Sequence, residues 1–275
     1  MKAIKNIGIG LVTFLFCGNL PLSVYGQKAS PVFMSFSYVK ANPGKMGAYI
    51  DLIKNYSPKI TRERIQQGGG VLGWYMYEVR MPSGAANEYD FVSITVTSEF
   101  NLLFDELSPP EGTMERLLPG ISSMTIAGIF EQYETSRTVL RKEIIVPIAS
   151  LTSGGAPYKV AWVDFVKVKE GKEKEYLKLQ TDLVLPAYKE LQSGGLMGNY
   201  RVYKKTLPVD SQSDFDFMVV YFANDIASLA DGRLSDAKSK LMANSTNTLA
   251  ALAGITRSEI WQLVEYMDVE KSMKP

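Results

Sequence analysis

The sequence predicts an α+β protein made of two copies of one folding unit, and three observations predict it. The segment Phe36-Ser-Tyr-Val-Lys-Ala-Asn-Pro-Gly44-Lys45 returns 127 residues later as Val163-Asp-Phe-Val-Lys-Val-Lys-Glu-Gly171-Lys172. Each copy then passes through a Gly-Gly break and a Tyr-rich segment to a hydrophobic stretch opening Asp90-Phe91 or Asp216-Phe217. Each also ends on a small-Arg-small opening, Ser136-Arg137-Thr138 in one and Thr256-Arg257-Ser258 in the other. A fixed-offset repeat of this length is a duplicated supersecondary unit.

In the first copy, Met34, Phe36 and Tyr38 alternate with Ser35, Ser37 and Val39, the two-residue period of a strand. After the Pro43-Gly44 turn, Met46, Tyr49, Ile50, Ile53 and Ile60 fall at helical spacing through about Gln67, with Pro58 expected to kink or interrupt the helix. Gly68-Gly69-Gly70 stops it, and Val71 to Glu78 reads as the second strand. In the second copy, Val163 and Phe165 mark the strand, and Tyr176, Leu179, Leu183 and Leu191 the helical stripe, with Pro186 near the place of Pro58. After Gly194-Gly195, Leu196 to Tyr203 aligns with Val71 to Glu78. Met81 to Asn87 and Leu207 to Ser213, rich in turn residues, connect hairpins. The stretches Asp90 to Val96 and Asp216 to Phe222 are third strands, helical segments follow them, and the strands opening at Ser136 and Thr256 close each copy as β-α-β-β-α-β, the ferredoxin-like order. The expected boundaries are a leader over 1–26, a first repeat over 27–147, a linker over 148–157 and a second repeat over 158–275.

The leader has a basic start at Lys2 and Lys5, an apolar run from Ile7 to Cys17 and a small-residue ending at Gly26, the pattern of a secretory signal peptide. Its run is shorter than the roughly 20 residues of a membrane span, so export to the periplasm or extracellular space is expected, with no membrane association after cleavage. The single cysteine, Cys17, lies in the leader, so the mature chain is expected to have no disulfide or thiolate site. Removing Lys2 and Lys5 turns the formal charge from +1 to −1, and a near-neutral chain without a basic cluster argues against nucleic acid as a partner. The chain has no histidine, which removes the commonest general base and metal ligand; no metal site is expected.

Two such units in one chain, each with a Gly-Lys entry to its first helix and a Gly-rich break after it, resemble the dimeric α/β-barrel superfamily over roughly residues 31 to 270. The resemblance implies two four-stranded antiparallel sheets closing into a pseudo-dimeric barrel with helices outside. It also implies relatives among antibiotic-biosynthesis-type monooxygenases, haem-degrading enzymes, chlorite dismutases and NIPSNAP-like proteins. Haem members that use a proximal histidine cannot be matched here, although a tyrosinate remains open as a ligand. The expected cofactor is none.

If the face carrying Phe36, Tyr38, Val163 and Phe165 meets the helices, then Ser35, Ser37, Trp162 and Asp164 look into the barrel. On the repeat alignment, Trp74, Met76 and Glu78 correspond to Asn199, Arg201 and Tyr203. One reading makes Trp162, Asp164, Asn199, Arg201 and Tyr203, faced by Trp74 and Glu78, the lining of a pocket for a small organic ligand between the repeats, with Arg201 as partner to Asp164. The other makes Asp164 and Arg201 a structural pair and the aromatics core. Catalytic residues are not identifiable: no histidine activates a serine, and no nucleophile elbow is present. The resulting expectation is an exported, cofactor-free barrel binding a small organic molecule, with pseudo-dimers able to pair further. The alternatives are a cofactor-independent monooxygenase acting on an electron-rich aromatic, as the resemblance implies, and a structural module with a solid core.

Overall fold

A computed structural model describes residues 31–68, 70–82, 87–103, 112–120, 122–151, 156–195, 198–208, 213–230 and 246–273; the expected signal peptide lies outside them. The first repeat comprises β1 (Phe33–Ala41), α1 (Met46–Gln66), β2 (Val71–Met81), β3 (Phe91–Thr97), a 3-10 turn (Phe100–Leu103), α2 (Thr113–Leu117), α3 (Ser123–Thr135) and β4 (Arg137–Leu151). The second comprises β5 (Val160–Val168), α4 (Glu173–Leu179), a π-helical segment (Gln180–Val184), α5 (Leu185–Ser193), β6 (Tyr200–Leu207), β7 (Phe217–Ala223), α6 (Ile226–Ala230), α7 (Thr246–Leu252), β8 (Ala253–Asp268) and α8 (Val269–Ser272). The strands close in the order β1-β3-β2-β8-β5-β7-β6-β4, all neighbours antiparallel. Each repeat supplies four consecutive staves, and β2–β8 and β4–β6 seal the joints. Closure leaves no sheet edge along the joined lengths of these strands.

The repeated sequence signals have local causes. Gly44 and Gly171 hold φ of 73° and 74° at the strand-to-helix turns, a conformation costly for any residue with a Cβ. Asp90 and Asp216 each accept from a main-chain nitrogen of the neighbouring first strand, at Ala41 and Val168, and each pairs with a lysine, Lys40 or Lys167. That clamp explains the duplicated Asp-Phe. Pro58 lies inside one continuous helix, whereas Pro186 enters α5 directly after the π-helical segment.

Four expectations change. The face with Phe36, Tyr38, Val163 and Phe165 points into the barrel and packs there with Tyr77, Tyr203 and Trp261, while Ser35, Ser37, Trp162 and Asp164 face the helices. Both faces of a barrel strand are buried, so alternation reveals a strand without telling inside from outside. The second-strand alignment is shifted by one residue: through the ladder, Tyr75 pairs with Ile94 as Arg201 pairs with Val220, making Tyr75 the equivalent of Arg201 and Trp74 that of Tyr200. The bulge at Val71/Gly73 hides this slip, and one residue of slip exchanges the faces. In the last strands, Arg141 and Glu143 match Arg257 and Glu259, since they oppose Tyr38 and Phe36 as the latter oppose Phe165 and Val163; Arg137 matches Ala253 instead. Finally, the expected linker begins inside β4, which runs through Leu151 and pairs with β6, because closing the barrel needs that length.

Candidate functional site

The outer face of the first repeat's sheet is made of small hydroxyl residues. Ser35 and Ser37 of β1 lie opposite Thr95 and Ser93 of β3, and Trp74 of β2 completes the row and donates its indole N–H to Ser93 Oγ at 2.9 Å. Helix α1 lies over this floor through Leu52, Tyr56 and Ile60, and Met114, Ile129 and Phe130 of α2 and α3 close the far side. Short floor residues under long roof residues leave a gap, a cavity of about 520 Å³. That volume lies within the range of small-molecule sites. Val139 lines it and is itself exposed, so the cavity opens to solvent at β4.

Its lining mixes hydroxyl and charged groups with apolar ones. Ser35 Oγ is buried on the floor without a protein hydrogen-bond partner. Arg137 stands on the wall with its guanidinium carbon 4.1 Å from the Tyr133 ring centre and one nitrogen 3.1 Å from Glu134. Burial raises the Tyr133 hydroxyl above its ordinary range, and the neighbouring Arg137 charge opposes that shift. Lys142 donates to the main-chain oxygen of Leu103 at 3.0 Å. Among the described residues no group of three or more carboxylates could hold a metal ion, and no helix is long and apolar enough to cross a membrane.

No protein-family model matches the sequence, and no curated protein is similar to it. Solved structures match in fold. A candidate monooxygenase from Lactobacillus acidophilus NCFM superposes with a TM-score of 0.52 over 87% of this chain and 97% of its own, at 10% identity. A second, from Fusobacterium nucleatum, gives 0.52 over 88% and 96%, also at 10% identity. An anthrone oxidase-like protein gives 0.50 over 90% and 96%, at 11% identity. This chain has the dimeric α/β-barrel fold. At such identities the likeness concerns the fold alone.

Within this α/β barrel, among the described residues, larger side chains of the second repeat occupy the space that the first leaves open. Trp162, Asp164, Tyr221 and Val219 stand at the places of Ser35, Ser37, Thr95 and Ser93. Tyr200, at the place of Trp74, stacks on Tyr188 at 4.3 Å and donates to Gln180 Oε1 at 2.8 Å. Asp164 accepts from Trp162 Nε1 at 2.7 Å and Ser258 Oγ at 2.5 Å. Burial, with the Asp164 charge adding to it, pushes the Tyr176, Tyr188, Tyr200 and Tyr221 hydroxyls well up.

The seven residues singled out from the sequence therefore scatter. Trp74 alone lines the cavity. Trp162 and Asp164 belong to the filled second repeat. Arg201 and Tyr203 point into the lumen, on the opposite face from Asp164, with Arg201 Nη1 3.3 Å from the Tyr203 hydroxyl. Asn199 is buried just before β6 and Glu78 pairs with Arg80 at 2.9 Å. A carboxylate-guanidinium pair between Asp164 and Arg201 does not form, because the one-residue slip places the sheet between them.

The lumen holds a second polar system that joins the repeats. Tyr89 of the first repeat donates to Glu259 of the second at 2.6 Å, and Lys205 of the second pairs with Glu143 of the first at 3.1 Å. Tyr38 also donates to Glu143, at 2.7 Å, and Trp261 Nε1 to Glu259, at 2.7 Å. Arg141 lies over Tyr38, and Arg257 over Phe165. Every carboxylate here has partners, so the system reads as a seam.

The cavity residues Ser93, Thr95, Arg137, Lys142 and Arg64 are missed by sequence reasoning. A signal for the first two exists. At fixed repeat offset they are small where the other copy is large, and a correct strand alignment exposes that contrast.

Proposed function

We propose that this protein is exported and binds a small organic molecule, without a cofactor, in the first-repeat cavity. The observation that carries the reading is that hydroxyl side chains stand over one sheet face where the other repeat has bulk on the same strand register, which leaves a cavity of about 520 Å³ beneath the helices. The site lies inside one repeat, and not between the two as expected from sequence. Export rests on the basic-apolar-small pattern of residues 1–26. The open cavity weighs against a solid structural module.

A second reading is a cofactor-independent monooxygenase acting on an electron-rich aromatic in the same cavity. It is favoured by Trp74 on the floor and by the names borne by the matching folds, candidate monooxygenases and an anthrone oxidase-like protein.

Mass spectrometry of organic extracts from the mature protein tests the first reading. A compound present with wild type and missing from Ser35→Trp/Thr95→Tyr is expected; equal recovery from both would refute the cavity as its site. Oxygen uptake with phenols or quinols, lost in the same blocked variant, would establish the enzyme reading over the binder.

A further inference from the structure

We infer that the ligand of the first-repeat cavity presents a carbonyl oxygen on an apolar body, and that Ser35 and Ser37 donate to that oxygen. The inference deepens the binding-site reading and rests on it. Its first support is Ser35, which is 3% exposed, lines the cavity and has no hydrogen-bond partner for its Oγ within the protein. A buried hydroxyl left unpaired costs free energy that a polar partner returns. Thr95 stands directly opposite on β3, yet the hydroxyl bond that such a cross-strand pair can form is not made. No hydrogen bond fixes the Ser35 rotamer, so its hydroxyl is able to turn to a ligand atom. Ser93, opposite Ser37, accepts from the Trp74 indole at 2.9 Å and keeps its own proton to donate. The charged residues on the wall are engaged already: Arg137 pairs with Glu134 at 3.1 Å, Lys142 donates to the Leu103 main-chain oxygen, and Arg64 interacts with the protein as well. Recognition at the floor therefore falls to the hydroxyls.

The duplicated half shows what this sheet face does with its donors. By strand register, Trp162, Asp164 and Ser258 occupy the places of Ser35, Ser37 and Lys142. The Asp164 carboxylate accepts from the Trp162 indole at 2.7 Å and from the Ser258 hydroxyl at 2.5 Å. The sealed copy thus carries its own acceptor, fixed to β5, with donors gathered on it. In the open copy the same three places hold side chains that donate, and none of them is a carboxylate. A carbonyl oxygen, with two lone pairs and no proton, meets paired serine donors as the Asp164 oxygen meets Trp162 and Ser258. The roof, with Leu52, Ile60, Met114 and Phe130, covers the apolar body. A sugar would leave hydroxyls unpaired against that roof, which polar groups avoid.

Two naphthalenes of one shape test this on the mature protein: 2-acetylnaphthalene, which has a C=O, and 2-isopropenylnaphthalene, which has a C=CH2 in its place. Each is titrated against the neutral fluorescent probe phenylnaphthylamine. The readout is the ratio of ketone to alkene affinity in wild type and variant, in which the different hydration of the two compounds cancels. From wild type to Ser35→Ala/Ser37→Ala that ratio should fall roughly fivefold, the worth of a net hydrogen bond or two, with alkene affinity unchanged. Ser35→Ala alone breaks no hydrogen bond within the protein, so it keeps the test intact should the double variant fold poorly, and it should lower the ratio about twofold. 2-Naphthoate run in parallel sorts the carbonyl sources: a matching fall for naphthoate assigns acids to the site, a fall confined to the ketone assigns neutral carbonyls, and either supports the inference. A ratio unmoved in both variants while the alkene binds would overturn the carbonyl assignment and leave the cavity standing. Failure of probe, ketone and alkene to bind wild type, or equal binding by Ser35→Trp/Thr95→Tyr, would overturn both.

Discussion

The outer sheet faces of the two repeats differ where the first forms the floor of the cavity. Ser35, Ser37, Ser93 and Thr95 stand in the first where Trp162, Asp164, Val219 and Tyr221 stand in the second. The β1–β3 and β5–β7 registers match residue for residue, so pairing of these strands does not distinguish the two copies, whereas side-chain volume does. A protein interior is packed to the density of an organic crystal, and shortening several neighbouring side chains over a stiff barrel leaves a void that cannot collapse. The second repeat keeps its bulk and adds a buried carboxylate whose donors, Trp162 and Ser258, satisfy it. Duplication thus supplies a filled reference for the open site.

The sharpest way to break this comparison is to truncate the same position twice. Tyr200 is fully buried in the filled copy, so Tyr200→Ala should cost about 3–5 kcal/mol in denaturant unfolding. Trp74, its equivalent, is larger but borders the cavity, so Trp74→Ala should cost less, about 2 kcal/mol, because fewer neighbours lose contact. A larger cost at Trp74 would mean that the first repeat is as tightly packed as the second. The seam between the repeats is next: Lys205 and Glu143 are 7% and 4% exposed, and Lys205→Ala removes the nearer of the carboxylate's two cations, leaving Arg141 at 3.8 Å, a loss of about 3 kcal/mol in the same measurement.

Copying the filled pattern into the open copy, Ser35→Trp/Thr95→Tyr, should abolish probe binding while changing stability by only about 1–2 kcal/mol, since the added rings enter existing space. Alkaline titration sharpens the contrast further. The buried Tyr200 hydroxyl stays protonated above the ordinary value of 10.0, so the folded state holds its proton while the unfolded state releases it. Stability is then undiminished below pH 10.0 and falls as the pH rises above it, and Tyr200→Phe should flatten that fall. The smallest effect belongs to Glu78→Gln on an exposed pair, within about 0.5 kcal/mol and without consequence for the cavity.

Element order, duplication and barrel class were legible because they depend on periodicity and turn residues, which sequence displays directly. Facing was not. Phe36 and Ser35 alternate equally well whichever points inward, and only closure of the barrel puts the aromatic set in the lumen. The site suffered twice, since the bulge at Gly73 shifted the second-strand alignment and drew Arg201 onto the face of Asp164. The asymmetry of Ser35 and Ser37 against Trp162 and Asp164 was visible, but it pointed to the bulky copy when the cavity lies in the small one. Arg137 was visible too, matched to Arg257, and only the ladder shows Ala253 in its place.

The central claim is that the first repeat is open and the second is not. Crystals of the mature protein soaked with an iodinated benzoate, read by anomalous diffraction, test it most directly. Iodine between α1 and the β1–β3–β2 face, beside Trp74, is the predicted result. Iodine only in the lumen, or against Trp162 and Tyr221 in the second repeat, would contradict it.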